Sequence, residues 1–297
     1  MTAQIINGKE IANKVKQELK NKISSLTSAK QPALAVILVG DDEASRIYVT
    51  NKQKAAKEVG IICEVFEFSS SIGEQALLYS IDELNSNPDI NGIIVQLPLP
   101  KHIDSLKVLS HINPIKDVDG FNPINSGLLS YNDCSALISA TPKGILELLK
   151  SSNIELKGKH AVVIGRSNIV GKPVSQLLLN NDCTVTTAHS HTQNLPQIVQ
   201  TADIVVVACG SPKLVKKEWI KKGAVIIDVG INRLNGKLCG DVDFDEVKEQ
   251  ASFITPVPGG VGPMTVAMLL TNTFEAFCRQ QNNHSCANHK HNCCCCS

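Results

Sequence analysis

The chain predicts an α/β protein of two lobes, the second of them Rossmann-like, and three observations carry that prediction. Short apolar runs alternate with helical stretches, which implies parallel sheets with helices on both faces. The alternation pauses at 116-KDVDGFNPINSGLL-129, a turn-rich stretch that reads as a loop or a junction between lobes. It then resumes at 159-KHAVVIG-165, which runs through a glycine-bearing turn into a further helix. The 297 residues suffice for two domains of ordinary size, and 43 % hydrophobic residues suffice for a buried core.

In chain order, a short extended start at Ile5–Ile6 precedes a helix over 8–26. The run 33-ALAVILVG-40 reads as a buried strand. A helix follows over 43–59, with Asp41 and Asp42 as start signals and Gly60 as the stop. On that helix Ala44, Ser45, Tyr48, Val49, Lys52, Ala55, Ala56 and Val59 share one arc of roughly 140°. Lys52 is the charged group near its middle, one turn from Tyr48. Such a lysine either snorkels its ammonium to water or is kept for chemistry. Strands are expected at 61–68 and 91–100, the latter broken by Pro98 and Pro100, with a helix over 73–86 and a short one after Pro100. Beyond the junction, Thr141-Pro142 opens a helix. Strands follow at 159–165, 183–189, 203–210 and 223–230, and a last helix spans 264–281.

The net charge of +1 gives no nucleic-acid footprint and no steering to acidic membranes. No apolar run approaches the roughly 20 residues of a membrane helix, and MTAQIINGKE has no apolar core of a secretory signal. A cytoplasmic protein is expected. Six cysteines (Cys63, Cys134, Cys183, Cys209, Cys239, Cys278) are single and widely spaced, so they read as reduced thiols. Without a CxxC in the body, no structural metal is expected there. The tail over 283–297, rich in Cys and His, is expected to be disordered, having almost nothing to bury. Its rival reading is adventitious soft-metal binding.

Strand 160-HAVVIG-165 leads into a turn spaced Gly165-x5-Gly171, a phosphate cradle in which backbone N–H groups and a helix dipole face an anion. As a bare motif it is equally a plain βα turn. Arg166 follows Gly165 directly, and the next strand ends in 187-TAHSHT-192, with no carboxylate to hold a ribose 2′-hydroxyl. A hydroxyl and a guanidinium welcome a 2′-phosphate that a carboxylate would repel, so the cofactor is expected to be NADP.

Tyr48-x3-Lys52 also occurs in short-chain dehydrogenases, but there it follows the glycine loop within one domain. Here it precedes Gly165 by more than a hundred residues. The order Tyr48-x3-Lys52, 95-VQLPLP-100, 116-KDVDGF-121, 165-GRSNIVGKP-173 and 256-PVPGGVGPMT-265 closely resembles the bifunctional methylenetetrahydrofolate dehydrogenase–cyclohydrolase family over roughly residues 1–280. The resemblance implies an N-terminal catalytic, folate-binding lobe (1–138, completed by helix 264–282) and an NADP-binding lobe (139–263) across a cleft. It further implies a homodimer, tetrahydrofolate derivatives as substrates and a place in one-carbon metabolism. Residue by residue it makes Lys52 the central catalytic group, Gln96 its hydrogen-bonding tuner, Asp119 the pterin anchor and Tyr48 the residue stacked on the substrate. Leu97, Pro98, Pro258, Gly259 and Gly260 are implied at the substrate. Gly165, Arg166, Ser167, Ser190 and Ile231 are implied at the cofactor.

The chemistry implied is hydride transfer from methylenetetrahydrofolate to NADP⁺, then hydration of the methenyl product and ring opening to formyltetrahydrofolate. Lys52 can move protons in the second step if its pKa lies near neutrality. Plainer readings stand beside these. Tyr48 would be core, Lys52 a snorkelling lysine and Gln96 a strand-end cap. Asp117 and Asp119 would be turn formers, and His189 and His191 polar strand ends. A shikimate-type or short-chain reductase, or a folate- and NADP-binding protein without turnover, are the competing functions.

Overall fold

The structure is a computed structural model and describes residues 2–27 and 30–285. Strand β1 (Gln4–Ile5) leads into helix α1 (Gly8–Ser24), whose N-cap Asn7 accepts the Glu10 N–H. Strand β2 (Ala33–Val39) is buried along its whole length. It lies between β3 (Ile62–Phe68) and β4 (Gly92–Val95) in a parallel three-stranded sheet. Helices α2 (Glu43–Val59), α3 (Glu74–Ser86) and α4 (Ser105–His111) complete the βα crossovers. Strand β4 stops at Val95 rather than running to residue 100. Pro98 and Pro100 have no N–H with which to continue the ladder.

The turn-rich stretch contains a helix that the sequence reading missed, α5 (Pro123–Ser130). Asn122 caps it through the Ile124 N–H, and Pro123 occupies its first turn. That Asn-Pro pair is a start signal hidden among turn residues. Helix α6 (Ala140–Ser151) then enters the second lobe.

There the sheet is wholly parallel, in the order β1-β11-β8-β7-β5-β6. Its members are β5 (His160–Ile164), β6 (Thr184–Ala188), β7 (Ile204–Val207), β8 (Val225–Asp228) and β11 (Phe253–Ile254), with β1 added from the N-terminus. Helices α7 (Gly171–Asn180), α8 (Leu195–Val199) and α9 (Phe244–Val247) flank it. Strand order reverses direction between β5 and β7, where open α/β sheets receive ligands beyond the strand C-termini. A hairpin of β9 (Asn232–Leu234) and β10 (Lys237–Cys239) was also missed. Its Asn235-Gly236 turn, with both residues at positive φ, is a standard two-residue hairpin signal.

Helix α10 runs from Val261 to Ser285, longer than expected at both ends. The expected disordered tail falls, from residue 286 on, outside the described residues. One apolar core joins the lobes. Leu34, Val36 and Ile94 of the smaller sheet belong to the same packed cluster as Val163, Val206 and Ile227 of the larger, with Met264, Ala267 and Leu270 of α10 among them. Among the described residues no helix is long and apolar enough to cross a membrane.

Candidate active site

Helix α2 presents the first pair of groups. Asp42 caps it by accepting the Ser45 N–H at 2.8 Å, and Gly60 ends it in the left-handed conformation that favours glycine. Its buried face is Ser45, Val49, Ala55, Ala56 and Val59. Tyr48, placed by its periodicity on that inward arc, is instead 52 % exposed. Its ring is therefore open to contact from outside the core. Lys52 is half-buried, and its Nζ donates to Gln96 Oε1 at 3.1 Å.

Gln96 is fixed from behind. Its N–H donates to Ile37 O at 2.9 Å, extending the β2–β4 ladder by one bond, and its Nε2 donates to Leu97 O at 2.8 Å. With the carboxamide so oriented, Oε1 faces the ammonium. Asp119 lies in the same field. Burial pushes its carboxyl above the ordinary value, and the Lys52 charge pulls it back down. Lys52 also acts on Cys63 of β3, whose thiol burial pushes up to about 11. Cys63 is therefore a neutral neighbour of the ammonium. The structure thus gathers Lys52, Gln96 and Asp119 from α2, the end of β4 and the loop between α4 and α5.

That loop is rigid for reasons the sequence only hints at. Ile93 donates to Lys116 O at 2.7 Å, so residues 116–118 run beside β4. Lys116 is buried, and its Nζ donates to Leu84 O and Asn87 O at the end of α3. Asp117 accepts from the Phe121 N–H, the Asn122 N–H and Asn125 Nδ2, which ties the loop to α5. Burial lifts Asp117 to about 6 despite those three donors. Asp117 is thus a turn former, as expected, and an anchor besides. Gly120 has φ +70°, and a side chain there would strike the Ser139 backbone. From α10, fully buried Asn272 donates to Val118 O at 2.9 Å and Ile138 O at 2.7 Å, and accepts from Lys143 Nζ.

The loop after β11 closes on the start of α1. Gly259 O accepts the Lys9 N–H at 3.0 Å, and a Cβ on Gly8 would collide with the Gly260 carbonyl. Val257–Pro258 is cis, and Gly259 has φ +104°. The loop is thereby held with its small residues in place and little side-chain bulk in front of them.

In the second lobe Gly165 has φ +130°, and a Cβ on it would run into Ala208 O. One on Gly171 would run into Gly165 O. Both glycines are therefore demanded by the tight turn between β5 and α7. Ser167 Oγ accepts the Val170 and Gly171 N–H groups, which caps α7 from within the loop. Strands β5 and β6 end in register at Ile164 and Ala188, and Arg166 and Ser190 each lie two residues further on, both exposed. A cradle that any Cβ would fill, with a guanidinium at its lip and no acidic side chain at 187–192, fits a nucleotide carrying an extra phosphate. Ile231, 59 % exposed, follows the end of β8 at the same crevice.

Known families match both lobes. The model of the tetrahydrofolate dehydrogenase/cyclohydrolase catalytic domain covers residues 6–119, and that of the family's NAD(P)-binding domain covers 139–281. The chain belongs to the tetrahydrofolate dehydrogenase/cyclohydrolase family. Among relatives, the bifunctional protein FolD of Listeria innocua is 56 % identical over 275 residues, 92 % of this chain and 96 % of that one. A crystal structure of the bifunctional dehydrogenase/cyclohydrolase of Campylobacter jejuni superposes with a TM-score of 0.92 at 46 % identity, covering 95 % of this chain and 99 % of that one. The Trypanosoma brucei enzyme, solved with NADP and an inhibitor, gives a TM-score of 0.90 at 41 % identity, covering 95 % and 99 %. Family membership removes the short-chain and shikimate-type alternatives.

Proposed function

We propose that this family member oxidises 5,10-methylenetetrahydrofolate with NADP⁺ and then hydrolyses the methenyl product to 10-formyltetrahydrofolate in one cleft. The observation that carries the reading is the Lys52–Gln96 contact, set beside Asp119 at the C-terminal ends of the smaller sheet. Bound NADP⁺ supplies the hydride acceptor. Gly165, Arg166, Ser167, Ser190 and Ile231 hold it, with Arg166 and Ser190 meeting the 2′-phosphate as charge-assisted and hydroxyl donors. Asp119 accepts hydrogen bonds from the guanidine-like edge of the pterin, much as a carboxylate does from arginine. Tyr48, already exposed, stacks on the substrate's aminobenzoyl ring. Leu97, Pro98 and the Pro258–Gly260 loop wall the site and admit the substrate closely because they carry no bulky polar groups.

The two steps ask different things of these residues. Hydride transfer needs the one-carbon unit held in place, which is positioning. Hydration needs a proton taken from water and one delivered to the departing ring nitrogen. The neutral Lys52 amine takes the proton from water, and the ammonium so formed, hydrogen-bonded to Gln96 Oε1, delivers it to the nitrogen. The test is a steady-state assay with methylenetetrahydrofolate and NADP⁺ that follows methenyl absorbance as it appears and decays. A chain that binds both ligands without turnover would defeat this reading.

The active unit is a homodimer, with a second copy of this chain on the β6 side. β6 is the edge of its sheet, reads Thr-Val-Thr-Thr-Ala and has no charged residue to block further pairing. Beside it opens a cavity of about 760 Å³ lined by Leu106, Leu109, Phe121, Leu129, Ile169 and Leu179 among others. Leu106, Ile169 and Leu179 are exposed large apolar side chains, and a partner would cover them.

A further inference from the structure

The loops that follow β7 and β8 meet at the nucleotide crevice, and one carboxylate holds both. Asp241 is fully buried. Its Oδ2 accepts the N–H groups of Cys209 and Gly210, after β7, at 2.8 and 2.9 Å. Its Oδ1 accepts Asn232 Nδ2, after β8, at 2.8 Å. The carboxylate is itself fixed by another. The Asp241 N–H donates to Asp228 Oδ1, which also accepts the Gly230 N–H, while the Val242 N–H donates to Asp228 Oδ2. The Asp228 N–H in turn donates to Thr255 Oγ1, just ahead of the Pro256–Gly260 loop. The packing leaves no slack: a Cβ on Gly230 would strike the Asp241 carboxyl, and one on Gly240 the Asp228 carboxyl.

Nothing in the chemistry assigned above uses this pair. Nor is the neighbouring thiol a reactive group, because burial and the Asp241 charge push Cys209 up to about 11. What the network does is tie the start of the loop after β7 to Asn232 after β8; the later part of the β7 loop is held separately, by Lys213 N–H on Gly240 O and Val215 N–H on Asp241 O. A carboxylate suits that task better than a carboxamide, since all three of its partners are donors.

We propose that Asp241 is a positioning residue for the cofactor. By gripping Cys209–Gly210 and Asn232 together it fixes the height of the loops that flank Ile231, without touching the nucleotide. This inference rests on the folate and NADP reading. It predicts a defect confined to the nucleotide, because the hydration step uses none.

The experiment compares Asp241→Asn and Asn232→Ala with wild type in the full chain. Asparagine keeps the shape but sets an NH₂ group against at least one donor, whichever way it turns. Asp241→Asn is expected to raise both KM and Kd for NADP⁺ by roughly tenfold to a hundredfold, the scale of a slightly misplaced site. The cyclohydrolase kcat and its KM for methenyltetrahydrofolate should stay within about twofold of wild type, and far-ultraviolet dichroism should be unchanged. Asn232→Ala removes one of the three donors on that carboxylate and leaves the other two in place, and should raise the NADP⁺ KM by roughly two- to tenfold. It decides the matter if Asp241→Asn does not fold. An unchanged NADP⁺ KM in an active, folded variant overturns the inference, as does an equal loss of both activities, which would mark general structural damage. A wild type without NADP⁺-dependent turnover would instead overturn the functional reading beneath it.

Discussion

Replacing Lys52 by methionine separates the two chemical steps. Methionine keeps most of the aliphatic stem and removes the ammonium, so the half-buried wall of α2 stays filled. The structural loss is one hydrogen bond, Lys52 Nζ to Gln96 Oε1 at 3.1 Å. Gln96 keeps its bonds to Ile37 O and Leu97 O, and the side chain is only half-buried, so water can reach its freed oxygen. The stability cost is therefore about 1 kcal/mol. The catalytic loss is larger. A positioned general acid–base contributes about 10²–10⁴ in rate, or about 3–5 kcal/mol of barrier, and this is what hydration of the methenyl carbon forfeits. Hydride transfer needs no proton moved and loses only what Lys52 adds to orientation. Stopped-flow or steady-state measurement of methenyl decay in the purified variant, beside NADPH formation, reads both steps. The variant should accumulate methenyl product. Full hydrolysis by a folded Lys52→Met protein would refute the assigned role, and an equal fall in both rates would make Lys52 an orienting group alone.

Other expectations follow from the same geometry. Arg166→Ala should lower kcat/KM for NADP⁺ by roughly 10- to 100-fold, the worth of a charge-assisted contact, and leave NAD⁺ use nearly unchanged; equal use of both by wild type would defeat the 2′-phosphate assignment. Asp117, lifted to about 6 by burial, holds a proton in the folded state between about pH 4 and 6 that the unfolded chain lacks. Acidification from pH 7 to 5 should therefore stabilise wild type relative to Asp117→Asn by about 1–1.5 kcal/mol in urea melts, and parallel pH profiles would contradict it. Leu179 is 53 % exposed beside the β6 groove, so Leu179→Glu should leave the fold intact and shift sedimentation from dimer to monomer. A monomeric wild type would remove the proposed interface.

Helix α2 was legible to the residue, because Asp42 and Gly60 are strong local punctuation and periodicity picks out the buried face. The same periodicity misplaced Tyr48, since an apolar arc looks alike whether it meets core or an open cleft. Helix α5 and the β9–β10 hairpin were missed although Asn122-Pro123 and Asn235-Gly236 announce them. Turn-formers also begin helices and close hairpins, and composition alone does not say which. The gathering of Lys52, Gln96 and Asp119 came from the order of motifs; their spacing along the chain does not bring them together. Asp241 and Asn272 carried no sequence signal at all. Their partners lie on other elements, and Val118, bound by Asn272, stands 154 residues away. Such contacts exist only once the sheets are built.

The pairing of β1 with β11 bears on how the molecule is made. Gln4 and Ile5 stand far ahead of their ladder partners, Phe253 and Ile254, along the chain. Strand β1 has no ladder partner until residues 253 and 254 are present. Helix α10, which ties the Val118 loop to the lobe junction through Asn272, arrives later still. A fragment that stops short of Phe253 leaves β1 unpaired, and one that stops short of Asn272 leaves the Val118 loop untied.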